Sequence, residues 1–193
     1  MAVPEGGGHR HDGWMSRLSP VLTTADLPLA ELCAARLDGD LLRLDDSFTA
    51  LDQPHDAAAR AASIALSWPE RLIAERWTAA WIWGALPQPP GRHTLCASLG
   101  ARARTSVPQR VLVREVVVDD DELVTIADQR VTTPVRTITD LARFDTAPVE
   151  LLADLARIGG VDLGACREAL DRRRNLPNKI AAWRRIREAI SPS

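Results

Sequence analysis

The chain has 193 residues and a net charge of −2, from 24 basic and 26 acidic side chains. Apolar residues make up 46% and charged residues 26%, which excludes collagen-like, wholly disordered and disulfide-scaffold readings. The length fits one domain, or one domain with a small appendage, able to bury about 70% of the surface its unfolded form exposes. The balanced total gives no global nucleic-acid signal.

Residues 1–20 are Gly-rich and polar, contain His9 and His11, and read as a flexible tail. They lack the apolar stretch of a signal peptide. No run of the chain approaches the roughly 18 apolar residues of a membrane span. The three cysteines, Cys33, Cys96 and Cys166, fit neither a zinc knuckle nor a redox CxxC. Small buried thiols in a reducing cytoplasm are the expectation.

Residues 25–38 place Leu29, Leu32, Cys33 and Leu37 at helical spacing, and Gly39 stops that helix. DLLRLDDSFTALD follows, with Leu42, Leu44 and Phe48 split by a polar Asp45-Asp46-Ser47 turn, the pattern of a short β-hairpin. Residues 56–67 predict an Ala-rich helix capped by Asp56 and ended by Pro69. Residues 70–86 predict a second helix, with Trp77, Trp81 and Gly84 on one face. The aromatics serve core packing, or else Trp83 or Trp77 anchors a partner protein.

PQPPG at 87–91 breaks the chain, and residues 93–133 are mostly β, with VLVREVVV the clearest strand. DDDE at 119–122 reads as a solvated acidic turn. Residues 133–190 are helical. Thr133 caps, Pro134 takes the first helical position, and Val135, Ile138, Leu141 and Ala142 form the buried stripe. Arg136 and Asp140 pair at i, i+4 for about 0.3 kcal/mol. Further helices fall near 148–157, 162–172 and 177–190, the first two separated by Gly159-Gly160.

No Walker loop, GxGxxG, HExxH or GxSxG occurs, and none of His9, His11, His55 and His93 lies in a recognisable nucleophile motif. The expectation is a non-enzymatic protein without catalytic residues, metal site or cofactor. Charge is segregated nonetheless. Residues 26–56 hold eight acids and two arginines, a net −6. Arg102, Arg104, Arg110 and Arg114 face no acid within 102–114, and residues 165–193 reach a net +5. That C-terminal run includes Arg172, Arg173, Arg174, Lys179, Arg184, Arg185 and Arg187. Such asymmetry points to a polyanionic or acidic partner, with a solvated helix face as the bland alternative. RARTSVPQR is the more pointed segment, since arginines spaced by small polar residues in a loop suit phosphate backbones.

The order helix, LDGDLLRLDDSFT hairpin, TAAWIWGAL helix, basic loop, β region and VTTPVRTITDLARF resembles the actinobacterial AbiEi-type antitoxins. These belong to type IV toxin–antitoxin systems, linked with phage resistance. The resemblance covers roughly residues 20–193, with VTTPVRTITDLAR its most specific piece. It implies an α+β chain: a truncated winged-helix-like unit at 21–53, then an α/β antitoxin domain at 54–193 with a small sheet and C-terminal helices. It implies an antitoxin-like protein that counters a nucleotidyltransferase-like toxin, with DNA as a second partner if it also regulates transcription. A DNA-binding regulator without a toxin, or an orphaned member retaining only the fold, are the alternatives.

Two features depart from that family. A winged helix needs about three helices, and only one fits between the tail and the hairpin. The remnant is also acidic, and a negative surface repels phosphate. Operator binding is therefore not carried over to residues 26–52. Arg102, Arg104, Arg110 and Arg114 are the better nucleic-acid candidates. The remnant offers no dimer interface to read.

Overall fold

The computed structural model describes residues 20–99, 109–144 and 146–191. The fold is mixed α+β, with a two-stranded and a five-stranded sheet and seven α-helices among the described residues.

Helix α1 (Leu29–Asp38) ends at Gly39, whose φ of +86° is the left-handed conformation that favours glycine. Only Leu32 of its expected stripe is buried. Leu29, Cys33 and Leu37 face out, because the hairpin is too small to cover a whole helix face. Strands β1 (Leu41–Leu44) and β2 (Ser47–Ala50) form the expected hairpin, with Leu44 opposite Ser47 and a turn at Asp45-Asp46. Leu32, Leu41 and Phe48 make a small satellite core.

Helix α2 (Ala57–Ala65) is capped as its sequence predicts: the Asp56 carboxylate accepts from the Ala59 N–H at 2.9 Å. The segment 70–86 is not one helix. Ile73–Ala74 is a two-residue strand, β3, and helix α3 (Arg76–Trp83) begins only after it. Two residues are too few to show strand periodicity. They pair because the sheet needs a central strand between β4 (His93–Ser98) and β7 (Gln129–Thr132). With β5 (Val111–Val116) and β6 (Leu123–Ile126) the order is β5-β4-β3-β7-β6. The β4–β5 and β3–β7 pairings are parallel and the others antiparallel. The β6–β7 turn puts both Ala127 and Asp128 at positive φ, as a two-residue hairpin turn that matches strand twist requires.

Helix α4 (Pro134–Phe144) starts where Thr133 accepts from the Arg136 N–H, and buries Ile138, Leu141 and Ala142. Helices α5 (Val149–Gly159), α6 (Leu163–Asp171) and α7 (Lys179–Ile190) pack around it. A Cβ at Gly159 would lie 2.4 Å from the Pro134 Cβ, so α5 ends in direct contact with the start of α4.

Two cores meet at α3. Ala79, Trp81 and Ile82 face the core shared with α2 and the sheet, whereas Ala80 faces the core of α4–α7. Trp77 and Trp83 are half-buried against the α4–α7 core, and the Trp83 indole N–H donates to the Thr132 carbonyl at 3.0 Å. Part of their apolar area is thus used within the fold. No described helix is long and apolar enough to cross a membrane.

Candidate functional site

The arginines expected from sequence to face a partner, with their neighbours, fall into three settings among the described residues. The first is a buried ionic cluster between the sheet and α4. Glu75, at the N-cap of α3, takes two hydrogen bonds from the Arg114 guanidinium, at 2.5 and 2.7 Å. Arg114 also reaches Asp140 at 3.3 Å. Asp140 accepts from Arg136 at 2.8 Å and from Arg143 at 3.1 Å. Arg136 extends to Glu122 at 2.5 Å, and Arg173 closes the cluster on Glu122 and Asp119. Glu75 and Asp140 are each 1% exposed, so their charge is sustained by guanidinium forks rather than by water.

Local structure explains how these groups meet. Arg136, Asp140 and Arg143 share one face of α4 by i, i+3 and i+4 spacing. Glu122 ends a single 3₁₀ turn, Asp120–Glu122, whose capping box directs its carboxylate back to the Asp119 N–H. The acidic turn is therefore only partly solvated: Asp119, Asp120 and Asp121 are exposed, while Glu122 points inward. The Arg136–Asp140 pair is buried rather than a surface pair, which raises the cost of breaking it.

Burial alone would lower the basicity of Arg136 and Arg114. The carboxylates of Asp140, Glu122 and Glu75 more than offset this and raise both. Arg143 goes the other way, lowered by burial and by its arginine neighbours despite Asp140. It lies 4.3 Å from the Phe144 ring centre, a cation–π contact. Cys96 is sealed under the cluster. Burial and the adjacent Glu75 push its thiol far up, so it is no nucleophile. Cys166 is pushed up to about 12, first by burial and then by Asp162. Cys33 departs from the expectation of buried thiols, since it is exposed.

The second setting is the junction between the hairpin and the larger sheet. Asp45, held at φ +53° in the hairpin turn, accepts from His93 Nε2 at 2.9 Å and from Arg110 at 2.7 Å. Arg110 also donates to Asp46 at 2.7 Å. His93 Nδ1 lies 3.3 Å from the Thr78 hydroxyl. The line Thr78–His93–Asp45 has the order of a nucleophile, a base and its orienting acid. Thr78 and His93 are 0% exposed, however, which leaves no room for a substrate. The line fastens the hairpin to α3 and β4. Burial opposes ionisation of Asp45, but His93 and Arg110 outweigh it and hold the carboxyl below its usual range.

The same junction encloses a hollow of about 500 Å³, lined by Arg36, Arg43, Arg60, Arg110, His55 and the Pro87–Pro89 loop among others. Periodicity gives no signal for it, because its walls come from α1, the hairpin, α2, α3 and three connecting segments.

The third setting is the outer surface of the C-terminal helices. Arg174, Arg184 and Arg187 are exposed and make no ion pair among the described residues.

The residues expected from sequence to face a partner thus separate. Arg102 and Arg104 lie outside the described residues, as do His9 and His11. Arg110 and Arg114 are tied to Asp45 and Glu75. Arg172 pairs with Asp121, Arg173 with Glu122 and Lys179 with Asp171. Arg185 donates to carbonyls that end α4 and precede α5, including those of Ala142 and Ala147. Of the described candidates, Arg174 and Arg184 remain free of carboxylates. Among the described residues, Arg110, Arg114, Arg172, Arg173 and Lys179 thus find in space the acids that their own stretches of sequence lack or hold in deficit. Among the described residues, no group of three or more His, Cys, Asp or Glu could hold a metal ion.

No protein-family profile matches the chain, and no curated protein does. Among solved structures it is similar to the RV2827C protein from Mycobacterium tuberculosis, at 16% identity and a TM-score of 0.46, over 88% of this chain and 71% of that one.

Proposed function

We propose that the protein is a non-enzymatic, antitoxin-like binding protein of the AbiEi type, acting on a nucleotidyltransferase-like toxin in the cytoplasm. The observation that carries this reading is the place of VTTPVRTITDLAR. This segment bears the family resemblance, and it supplies Arg136, Asp140 and Arg143 of the buried cluster and the Thr132–Thr137 hydroxyl pair at 2.7 Å. A motif with that role specifies a fold, which fits a family defined by architecture rather than by a catalytic site. Helix α1 and the β1–β2 hairpin stand for the truncated winged unit in this reading. The hairpin turn is docked through Asp45 onto His93 and Arg110, so it is not free to enter a DNA groove. The non-enzymatic reading has support in the carboxylates: Glu75, Glu122 and Asp140 are buried and each engaged by arginine, so none is held out toward a substrate.

The test is co-expression with a nucleotidyltransferase-like toxin encoded beside the gene. Restored growth is expected, and its loss in an Arg174→Glu, Arg184→Glu, Arg187→Glu variant would place the toxin on the C-terminal surface. Failure of the unaltered chain to rescue growth overturns the reading.

The same three exposed arginines favour a second reading, a DNA-binding regulator. It predicts a log–log salt slope of about −0.9 for each phosphate contacted, reduced in the triple variant. Binding that ignores salt would remove it.

A further inference from the structure

The hollow at the hairpin junction differs in kind from the buried cluster. In the cluster every guanidinium meets a carboxylate. In the hollow, Arg60 is half-buried on α2, and its one hydrogen bond among the described residues goes from Nη1 to the Trp81 carbonyl at 2.9 Å. No carboxylate lies within ion-pair distance of Arg60 or of Arg36 among the described residues. His55, on the same wall, has a buried Nε2 without a hydrogen-bond partner. Arg43 and Arg110 add two further guanidiniums, but these already hold Asp45 and Asp46.

A half-buried guanidinium without a counterion is costly, and an imidazole nitrogen buried without a partner adds to that cost. Burial lowers the basicity of Arg60, and Asp56 offsets this only in part. Both costs fall if an anion enters. Two unmatched guanidiniums correspond to the charge of a phosphate monoester, about −1.5 to −2 at neutral pH, and arginine forks fit phosphate oxygens in pairs. The volume exceeds one phosphate and lies within the range of small-molecule sites. Leu42, Pro87 and Pro89 supply apolar wall for an organic part.

We propose that this hollow binds a phosphorylated small molecule, with Arg60, Arg36 and His55 taking its phosphate oxygens. The site is independent of the toxin reading and stands or falls without it. Its walls belong to both the hairpin unit and the larger domain, so a ligand would bridge the two and raise the melting temperature of the full chain by mass action.

The test is calorimetric titration of the full chain at low salt with inorganic pyrophosphate, ADP, adenosine and a short DNA duplex. ADP or pyrophosphate is expected to bind with a dissociation constant below about 1 mM, and adenosine not at all. Arg60→Gln should weaken binding about tenfold or more, the loss of one charge-assisted hydrogen bond. Arg36→Gln, which removes no internal contact, should weaken it severalfold and decides the matter if Arg60→Gln does not fold. Arg157→Gln, on the outer face of α5, should leave it unchanged. Absence of binding by both phosphate probes overturns the proposal, as does unaltered affinity in the Arg60 and Arg36 variants. Displacement of ADP by the duplex, with Arg60→Gln losing both, would assign the site to the nucleic-acid backbone and overturn the small-molecule reading.

Discussion

The buried cluster around α4 and the hollow beside the hairpin use the same side chain to opposite ends. Around Asp140, each arginine of the cluster meets a carboxylate, and the result is a joint between the sheet and the C-terminal helices. Around Arg60, Arg43 and Arg110 are matched by Asp45 and Asp46, but Arg60 and Arg36 have no carboxylate in contact among the described residues, and the result in our reading is a surface prepared for something from outside. An arginine is informative about function when it lacks a partner. One with a partner is informative about architecture.

This contrast is exposed most strongly by Asp140→Ala. That change leaves Arg143 without a counterion and takes from Arg136 and Arg114 one of their two carboxylates, and should cost about 3–5 kcal/mol in denaturant unfolding. A loss no larger than that of a surface variant would erase the distinction between the two regions.

Acid comes next, and it reads both regions at once. Burial opposes ionisation of Glu122, but Arg173, the Asp119 N–H and Arg136 outweigh it and hold its carboxyl low. Asp45 is held low by His93 and Arg110. Their ordinary values are 4.5 and 3.8. A carboxyl whose pKa is lowered by folding stabilises the fold above its unfolded value, and that contribution is lost as pH falls through the folded value. The melting temperature should therefore show no loss from these two groups at neutral pH, and a fall below about pH 4.5. Glu122→Gln and Asp45→Asn should each flatten that fall, and an acid limb identical to that of the unaltered protein would refute the assignment.

Arg60→Gln, in the absence of ligand, should change stability by no more than about 1 kcal/mol, since the lost bond to Trp81 is offset by relief of an uncompensated charge. A large loss would move Arg60 into the structural class. Smallest of all, Arg184→Glu and Arg187→Glu should stay within about 0.5 kcal/mol by thermal melting, whatever they do to partner binding.

Which of these features were legible in the sequence follows from how local they are. Gly39, Asp56, Thr133 and Pro134 mark helix ends through contacts within a few residues, and each sits where its chemistry predicts. The hairpin was equally legible, from two short apolar runs and a polar turn. Strand β3 was hidden inside a helical pattern, because its pairing depends on strands far along the chain. The basic segments looked uncompensated for the same reason. Arg114 finds Glu75 39 positions away, and Arg173 finds Glu122 51 positions away. A tally over a local window cannot see such partners. The hollow needed the fold itself, since unmatched charge is defined only after matched charge has been removed.

The reach of the cluster also bears on the order of folding. Its ion pairs span 39, 26 and 51 residues of sequence, and closing loops of that size is an entropic cost met before the bonds return anything. Helix α4, with its Asp140 pairs to Arg136 and Arg143, and the β6–β7 hairpin can form from local contacts, whereas the links made by Arg114 and Arg173 need distant segments to be in place. Interactions that form after the folding barrier govern the rate of unfolding rather than of folding. The long-range links of Arg114 and Arg173 are thus expected to act as a latch on the lifetime of the native state, and their loss to speed unfolding.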